Sequence, residues 1–165
     1  MDLRIRTAEL NDITQIVEIY NQGIEDKIAT LETKTRNLKE MTNWFNQKGP
    51  RFKVIVVENT EGIIYGWASL NVFNQRECYD GVADFSIYIR RDMRGTGLGK
   101  RLLENLIEVA RKEKFHKLVL STFKINEAGQ RLYHLMGFRE VGTYIKQGKI
   151  GDNWVDITIM EKLLI

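Results

Sequence analysis

The chain has 165 residues, a formal net charge of +3 and 43% hydrophobic residues, a composition that predicts one domain over residues 1–165 with an apolar core. Acidic and basic residues are interleaved, as in Arg111-Lys112-Glu113-Lys114, which argues against nucleic-acid binding. The lone Cys78, the lack of a signal-peptide-like N-terminus and the shortness of every apolar run predict a cytoplasmic protein that does not bind membranes.

The first elements of the chain are a strand and a helix. Leu3 to Thr7 alternates between apolar and polar residues and predicts a strand. Asn11 or Asp12 can then cap a helix. One face of that helix is apolar and is formed by Ile13, Ile16, Val17 and Tyr20. Residues 21–37 show no clean period and predict a loop or an irregular helix.

A second helix and a hairpin follow. The pattern from Leu38 to Gln47 predicts the helix, which Gly49-Pro50 ends. The segments Phe52–Glu58 and Ile63–Val72 predict paired strands, joined by a turn over Asn59–Gly62.

A glycine-rich segment, Arg94-Gly95-Thr96-Gly97-Leu98-Gly99-Lys100, follows an alternating strand, Val82–Ile89, and opens an amphipathic helix. Glycines let backbone N–H groups approach an anion closely, and a helix N-terminus adds unpaired donors and a positive dipole end. With Arg94 and Lys100 on its flanks, the segment predicts a pyrophosphate site. The helix has an apolar stripe formed by Leu98, Leu102, Leu103, Leu106, Ile107 and Ala110.

The glycines alone also allow other interpretations. A dinucleotide-binding loop would lie near the start of a βαβ unit, with a third glycine opening the helix. A P-loop would have Ser or Thr after its lysine, but Arg101 follows Lys100. A third interpretation, a strand-to-helix turn that binds no ligand, stays open at this point.

The end of the chain predicts a short strand, a helix and two further strands. Leu118 to Thr122 is the short strand, and Asn126 caps a helix that runs to Met136. Gly137 suits the position after the helix end. The closing strands are Phe138–Ile145 and Trp154–Met160. The order β-α-α-β-β-β-α-β-α-β-β predicts a mixed α/β fold with helices on the faces of one sheet.

Asp84 lies in the strand before the glycine-rich segment. The pleat places Ala83, Phe85, Ile87 and Ile89 on one face and Asp84, Ser86 and Tyr88 on the other. A carboxylate in an apolar sheet is unfavourable without partners or a function. A long ligand on the glycine-rich segment could bring its reactive end to Asp84. A solvated aspartate at a strand entrance is the alternative.

The chain is similar to the GCN5-related N-acetyltransferase (GNAT) superfamily in the order of its central elements. A strand is followed by the motif Arg94-x-x-Gly97-x-Gly99, which opens an amphipathic helix. A short strand comes next, and Asn126 then opens a second helix. Three segments resemble its phosphinothricin and methionine sulfoximine acetyltransferase branch. Arg76–Asp84 resembles R-x-A-Y-x-x-T-V-E, Asp84–Ile89 resembles E-x-S-V-Y-V, and Gly148–Asp156 resembles G-x-K-x-G-x-W-x-D. The resemblance covers nearly the whole chain and implies the acyl-CoA N-acyltransferase fold.

The resemblance implies acetyl-CoA as co-substrate, no metal, and a small amino-acid-like amine as acceptor, acetylated by direct attack in a ternary complex. The pyrophosphate is then expected on the backbone of Gly95 to Lys100 and the pantetheine arm on Ile87, Tyr88 and Ile89. Asn126 is expected near the acyl end. The resemblance and the apolar terminal strands also imply a homodimer.

Two residues take catalytic roles in this interpretation. Asp84 stands where the branch has a glutamate as general base, and because it is one methylene shorter, a bridging water is favoured over direct proton abstraction. Tyr133 stands where GNAT enzymes often have the acid that protonates the departing thiolate, although phosphinothricin-type members often have histidine there.

Arg76 and Tyr79 are the candidate acceptor ligands, since a guanidinium can bind a carboxylate or phosphinate in a bidentate manner. Arg76 could equally be an exposed residue on a loop. Trp44, Trp67 and Phe73 are candidates for an acceptor pocket or for the core. Two alternative functions stay open: a protein N-terminal acetyltransferase, and an acyl-CoA-binding sensor with weak catalysis.

Overall fold

The computed structural model describes residues 1–27 and 30–165. In this part of the chain, seven strands form one mixed sheet: Leu3–Thr7 (β1), Val54–Asn59 (β2), Ile64–Val72 (β3), Val82–Ile89 (β4), Lys117–Phe123 (β5), Arg139–Ile150 (β6) and Asn153–Leu163 (β7). The helices are Ile13–Asp26 (α1), Leu38–Gln47 (α2), Leu98–Lys112 (α3) and Glu127–Leu135 (α4). The spatial strand order is β1-β2-β3-β4-β5-β7-β6, and the predicted order of elements is confirmed.

The two faces of the sheet carry separate apolar layers. The stripe of α3, with Leu102, Leu103 and Leu106, is fully buried against one face, where Ala83 and Phe85 of β4 meet it. The other face packs under α1 and α2 and includes Trp67 and Tyr88. The alternation predicted for β4 therefore places its residues on the expected faces.

Helix α1 differs from its prediction at both ends. It continues to Asp26 because Ile24 is buried in the last turn, and it ends at Lys27, whose φ is +56°. Asp12 precedes the helix, but its carboxylate accepts from Arg6 and from the Glu9 N–H instead of capping α1. Residues 28 and 29 of the segment predicted to be irregular lie outside the described residues.

The last two strands are longer than predicted. β6 runs to Ile150 and β7 begins at Asn153, so the pair forms a long hairpin. The side chains of β6 are mostly exposed, and an exposed strand shows little apolar alternation in its sequence. Backbone pairing with β7 maintains the strand, with register shifts between Glu140 and Gly142 and between Tyr144 and Gly148.

An ion-pair cluster links β1 to β2. The Glu58 side chain is only 2% exposed and lies 2.7 Å from Arg4 Nε and 2.8 Å from Arg6 Nη2. Hydrogen bonds from Arg6 lower the pKa of Glu58 to about 2, against the opposing effect of burial. Because this folded-state pKa lies below the ordinary 4.5, the carboxylate stabilises the fold above pH 4.5, and the contribution is lost as the pH falls towards 2.

We therefore expect Glu58→Gln to lower the free energy of unfolding at pH 7 by about 2–3 kcal/mol. Urea denaturation between pH 7 and pH 3 measures the effect, and the difference from wild type should shrink below pH 4.5. Glu108→Gln is the control, because the Glu108 side chain is 62% exposed beside Arg111 and should contribute little. A difference independent of pH would contradict the ionic origin of the effect.

Candidate active site

Strands β4 and β5 diverge at Asp84. Their parallel pairing covers only Val82 to Asp84, whereas β4 pairs with β3 as far as Ile89. Beyond Asp84, the edge of β4 that faces β5 has no ladder partner among the described residues. The fold thus opens a gap in the sheet, and Asp84 lies at its closed end.

The backbone of β4 presents hydrogen-bonding groups to this gap. The Arg90 N–H donates to Tyr65 O at 2.8 Å, and an antiparallel ladder alternates, so the backbone of Tyr88 pairs with Trp67. By the same alternation, the N–H and C=O groups of Ile87 and Ile89 face the gap. Ile89 O accepts from Arg94 Nε at 3.3 Å. Of the three residues predicted to bind the pantetheine arm, Ile87 and Ile89 therefore present backbone groups to the gap. Tyr88 also lines the gap, but its backbone groups point towards β3.

A groove of about 370 Å³ leads from the gap to the start of α3. Five of the seven residues in the predicted pyrophosphate segment line it, namely Arg94, Gly95, Gly97, Gly99 and Lys100. Thr96 and Leu98 do not, because Thr96 Oγ1 donates to Met93 O at 2.6 Å and Leu98 is buried in the core.

The first turn of α3 has the geometry of an anion site. Gly97 precedes the helix at φ +88°, in the left-handed region that favours glycine. The Arg101 N–H makes a hydrogen bond to Gly97 O, so the N–H groups of Leu98, Gly99 and Lys100 have no partner within the helix. Arg94 is held beside this turn by Asp26, 2.6 Å from its Nη1. The turn thus offers backbone donors, a dipole end and a fixed cation to a phosphate group.

A cavity of about 210 Å³ lies at the gap, lined in part by Asp84 and Tyr133. It shares Ile87, Tyr88, Asn126 and Tyr133 with the groove. The two spaces therefore adjoin, and an elongated ligand could run from the first turn of α3 to Asp84.

Burial raises the pKa of Asp84 to about 6. Hydrogen bonds from Asn71 and the Phe85 backbone lower it, but by less than burial raises it. Asn71 lies opposite Asp84 in the β3–β4 register. At pH 7 the carboxylate is mostly ionised and can still take up a proton near neutrality, which is the requirement for a general base.

The amide of Asn71 has a fixed orientation. Its Oδ1 accepts from Ser69 Oγ at 2.8 Å and from Lys48 Nζ at 3.3 Å, and its Nδ2 donates to Ser86 Oγ at 3.0 Å. With the oxygen occupied by donors, the amide nitrogen is directed at β4. The Asn71 side chain thus joins Lys48 to Ser86 of β4 beside Asp84. Burial lowers the pKa of Lys48 to about 8. Nothing in the sequence indicated Asn71 or Lys48, because only the folded sheet places Asn71 opposite Asp84 and Lys48 beside Asn71.

Tyr133 and Asn126 lie together at the junction of the groove and the cavity. Burial raises the pKa of Tyr133 to about 12, so its hydroxyl stays protonated at neutral pH. Asn126 caps α4 as predicted, since its Oδ1 accepts from the Gly129 N–H at 3.1 Å, and its Nδ2 donates to Thr122 Oγ1. The Asn126 side chain therefore fixes α4 beside the gap.

Arg76 and Tyr79 lie elsewhere. Arg76 is exposed, and its backbone N–H donates to Asn74 Oδ1. The Tyr79 ring packs against Phe73, 5.4 Å between centroids. Neither residue lines the groove or the cavity within the part of the chain that the structure describes.

A second pocket, of about 230 Å³, lies on the α1–α2 side of β3 and β4. We call it the aromatic pocket; it is lined by Tyr20, Glu32, Arg36, Met41, Trp44, Trp67, Asn71, Ser86 and Tyr88. Trp44 and Trp67, two of the candidates for an acceptor pocket, belong to it, whereas Phe73 does not. Arg36 was not indicated by the sequence, because it lies in the segment that lacks a periodic pattern.

Within residues 1–27 and 30–165, no group of three or more His, Cys, Asp and Glu residues could hold a metal ion. No helix in this part of the chain combines the length and hydrophobicity needed to cross a membrane.

The model of the Acetyltransferase (GNAT) family matches residues 15–138. The chain belongs to this family. The GNAT fold that the sequence motifs implied is confirmed, as is the resemblance to the phosphinothricin and methionine sulfoximine branch.

Three known GNAT-like proteins illustrate the similarity. The L-methionine sulfoximine/L-methionine sulfone acetyltransferase of Pseudomonas aeruginosa is 30% identical over 162 residues, 98% of this chain and 94% of that protein. A phosphinothricin acetyltransferase from Sinorhizobium meliloti, solved in complex with acetyl-CoA, is 25% identical with a TM-score of 0.92, covering 99% and 89% of the two chains. A ribosomal-protein-alanine N-acetyltransferase from Brucella melitensis is 32% identical with a TM-score of 0.92, covering 97% and 99%.

Proposed function

We propose that the chain transfers the acetyl group of acetyl-CoA to the primary amine of a small amino-acid-like acceptor, by direct attack in a ternary complex. The observation that carries the proposal is the continuous path from the first turn of α3, along the open edge of β4, to Asp84. The P. aeruginosa relative is named for amino-acid-like acceptors of this kind.

The residues along this path fit acetyl-CoA. Backbone donors of the first turn of α3 suit the pyrophosphate, and the C=O of Ile87 and the N–H of Ile89 suit an amide-containing arm paired like an added strand. The bound co-substrate would supply an acetyl thioester in the cavity beside Asp84 and Tyr133. The Ile87 N–H is then available to stabilise the oxyanion of the tetrahedral intermediate.

The protein's part in the reaction is proton transfer and positioning. Amines are mostly protonated at neutral pH, so Asp84, directly or through one water, takes a proton from the attacking amine. Tyr133, kept neutral by burial, donates a proton towards the departing thiolate. Asn126 positions α4, and thereby Tyr133, at the gap.

The polypeptide is also proposed to act as a homodimeric, cytoplasmic single domain. The strand at one edge of the sheet, β6, has twelve residues. Exposed apolar side chains lie on it and on β7, at Val141, Tyr144, Ile145 and Trp154. A long edge strand with such side chains favours pairing with a second copy of the chain. Sedimentation velocity tests the proposed dimer, for which we expect twice the 19.3 kDa mass of one chain.

Release of free thiol from acetyl-CoA, measured with a panel of amines and without amine, tests the function. We expect release with L-methionine sulfone or sulfoximine and none above background without an acceptor. Release only with a peptide that begins with alanine would instead support the protein N-terminal acetyltransferase, which the Brucella melitensis likeness keeps as a second candidate. Binding of acetyl-CoA without release for any amine would indicate the sensor.

A further inference from the structure

Lys48 follows the last turn of α2, and its ammonium group is directed at β3. The Nζ atom donates to Leu70 O at 2.6 Å and to Asn71 Oδ1 at 3.3 Å, and it lies 4.9 Å from the centre of the Trp44 ring. The residue is half-buried, and both oxygen acceptors are neutral. Placing a cation in such surroundings is unfavourable, so the position of Lys48 calls for an explanation in the groups that it contacts.

The Asn71 amide has two possible orientations, which exchange its oxygen and its nitrogen. Ser69 Oγ is fully buried and lies 2.8 Å from Asn71 Oδ1. A hydroxyl both donates and accepts, so Ser69 is compatible with either orientation. The Lys48 ammonium has donors only and therefore requires the amide oxygen on its side. Lys48 thus determines which end of the amide faces β4.

The amide nitrogen of Asn71 is directed at β4 and carries two N–H groups. One of them donates to Ser86 Oγ at 3.0 Å. Asp84 lies directly opposite Asn71 in the β3–β4 register, and its carboxylate accepts a hydrogen bond from the Asn71 side chain. In the reversed orientation, the amide oxygen would face the carboxylate and repel it.

We propose that Lys48 and Asn71 are positioning residues for Asp84: the Lys48 ammonium fixes the orientation of the Asn71 amide, and this amide holds the carboxylate at the cavity and stabilises its ionised form. Lys48 thus acts on the site without touching it. The inference rests on the proposed function, because it treats Asp84 as the general base. The hydrogen-bond chain from Lys48 to Asp84 is nevertheless testable without turnover.

Other titratable and charged groups face this side of the site. They are Tyr20 from α1, Lys48 from α2, Glu32 and Arg36 from the segment between these helices, Tyr88 from β4 and Tyr133 from α4. Burial raises the pKa of the three phenols, so they stay protonated wherever the carboxylate titrates. The pKa of Lys48 is about 8, against about 6 for Asp84, so Lys48 is mostly charged in that range.

Carbon-13 NMR of protein labelled with [γ-¹³C]aspartate follows the ionisation of Asp84 from pH 4 to 8.5, and Asp84→Asn assigns its resonance. Asn71→Leu should raise the pKa of Asp84 by about one pH unit, because the ionised form loses a donor. Lys48→Met should also raise it, because the amide is then free to reverse. Lys48→Arg should keep the wild-type value, since a guanidinium also has donors only. Lys39→Met, on an exposed residue of α2, is the matched control and should change nothing.

The kinetic pH profile gives a second measurement. The acidic limb of kcat/KM in Asn71→Leu should move upward with the pKa of Asp84, so the loss should be about tenfold at pH 5.5 and small at pH 8.5. A loss equal at every pH would assign Asn71 to packing and overturn the proposal. Melting temperatures show whether the variants are folded, and Asn71→Ala gives the same comparison with a smaller side chain.

A double variant tests whether Lys48 acts through Asn71. Adding Lys48→Met to Asn71→Leu should not raise the pKa of Asp84 further. An additional rise would show that Lys48 acts independently of Asn71, and an unchanged pKa in Asn71→Leu would show that the amide does not hold the carboxylate; either result overturns the proposal. Absence of turnover with every amine would refute the proposed function instead, and the NMR titration would still decide the hydrogen-bond chain.

Discussion

Replacing Asp84 by asparagine is expected to lower kcat/KM at pH 7 by about 10²- to 10⁴-fold, the range for loss of a general base. Burial raises the pKa of this carboxyl to about 6, so the acidic limb of the wild-type pH profile should lie near pH 6. In the variant that limb should move up to the pKa of the acceptor amine, because only the free amine can then react. The loss should become smaller at high pH, where the free amine no longer needs a base. Steady-state thiol release from pH 5.5 to 9.5 measures both effects.

The stability of the same variant separates a catalytic from a structural role. A folded-state pKa of about 6, above the ordinary 3.8, means that the ionised carboxylate destabilises the fold. We therefore expect Asp84→Asn to raise the free energy of unfolding above pH 6 by up to about 3 kcal/mol, a gain that disappears as the pH falls below 4. Asp80→Asn, on a nearby exposed side chain, should change neither property. An equal loss of activity at every pH, together with lower stability, would make Asp84 a structural residue.

The sequence predicted features that depend on neighbours along the chain. The glycine-rich segment contains the geometry of an anion site within contiguous residues, since Gly97 directly precedes the first turn of α3. The two faces of β4 followed from its pleat, and the capping role of Asn126 from its place before α4. Such features need no knowledge of the rest of the fold, which is why they agree with the structure.

Features that depend on distant segments could not be predicted. Asn71 reaches Asp84 only through the β3–β4 register, and Lys48 reaches Asn71 from the end of α2. Arg36 lies in a segment without a pattern, and the Asn21 side chain is what holds it in the pocket. Arg76 stays a predicted acceptor ligand, although it lines neither the groove nor the cavity among the described residues.

Replacing Gly97 by valine is expected to abolish the rise in melting temperature that acetyl-CoA gives the wild type. A ligand that binds only the folded state stabilises it in proportion to the logarithm of its concentration over Kd. Gly97 has φ +88°, a region that a β-branched residue avoids, so the variant must move the backbone that presents the N–H groups of α3. Losing about two charge-assisted hydrogen bonds should raise Kd at least 100-fold.

Gly62→Val provides the matched control for this loss. Gly62 has φ +81° in the β2–β3 turn, and at both glycines an added Cβ would meet no atom within 4 Å. The main cost of each substitution is therefore backbone strain, about 1–3 kcal/mol, and each should lower the melting temperature of the free protein. Because Gly62 lies outside the groove, its variant should keep the full acetyl-CoA shift. If both variants kept the shift, the first turn of α3 would not be the pyrophosphate site; if both lost it, the loss would reflect strain in the fold and not the geometry of that turn.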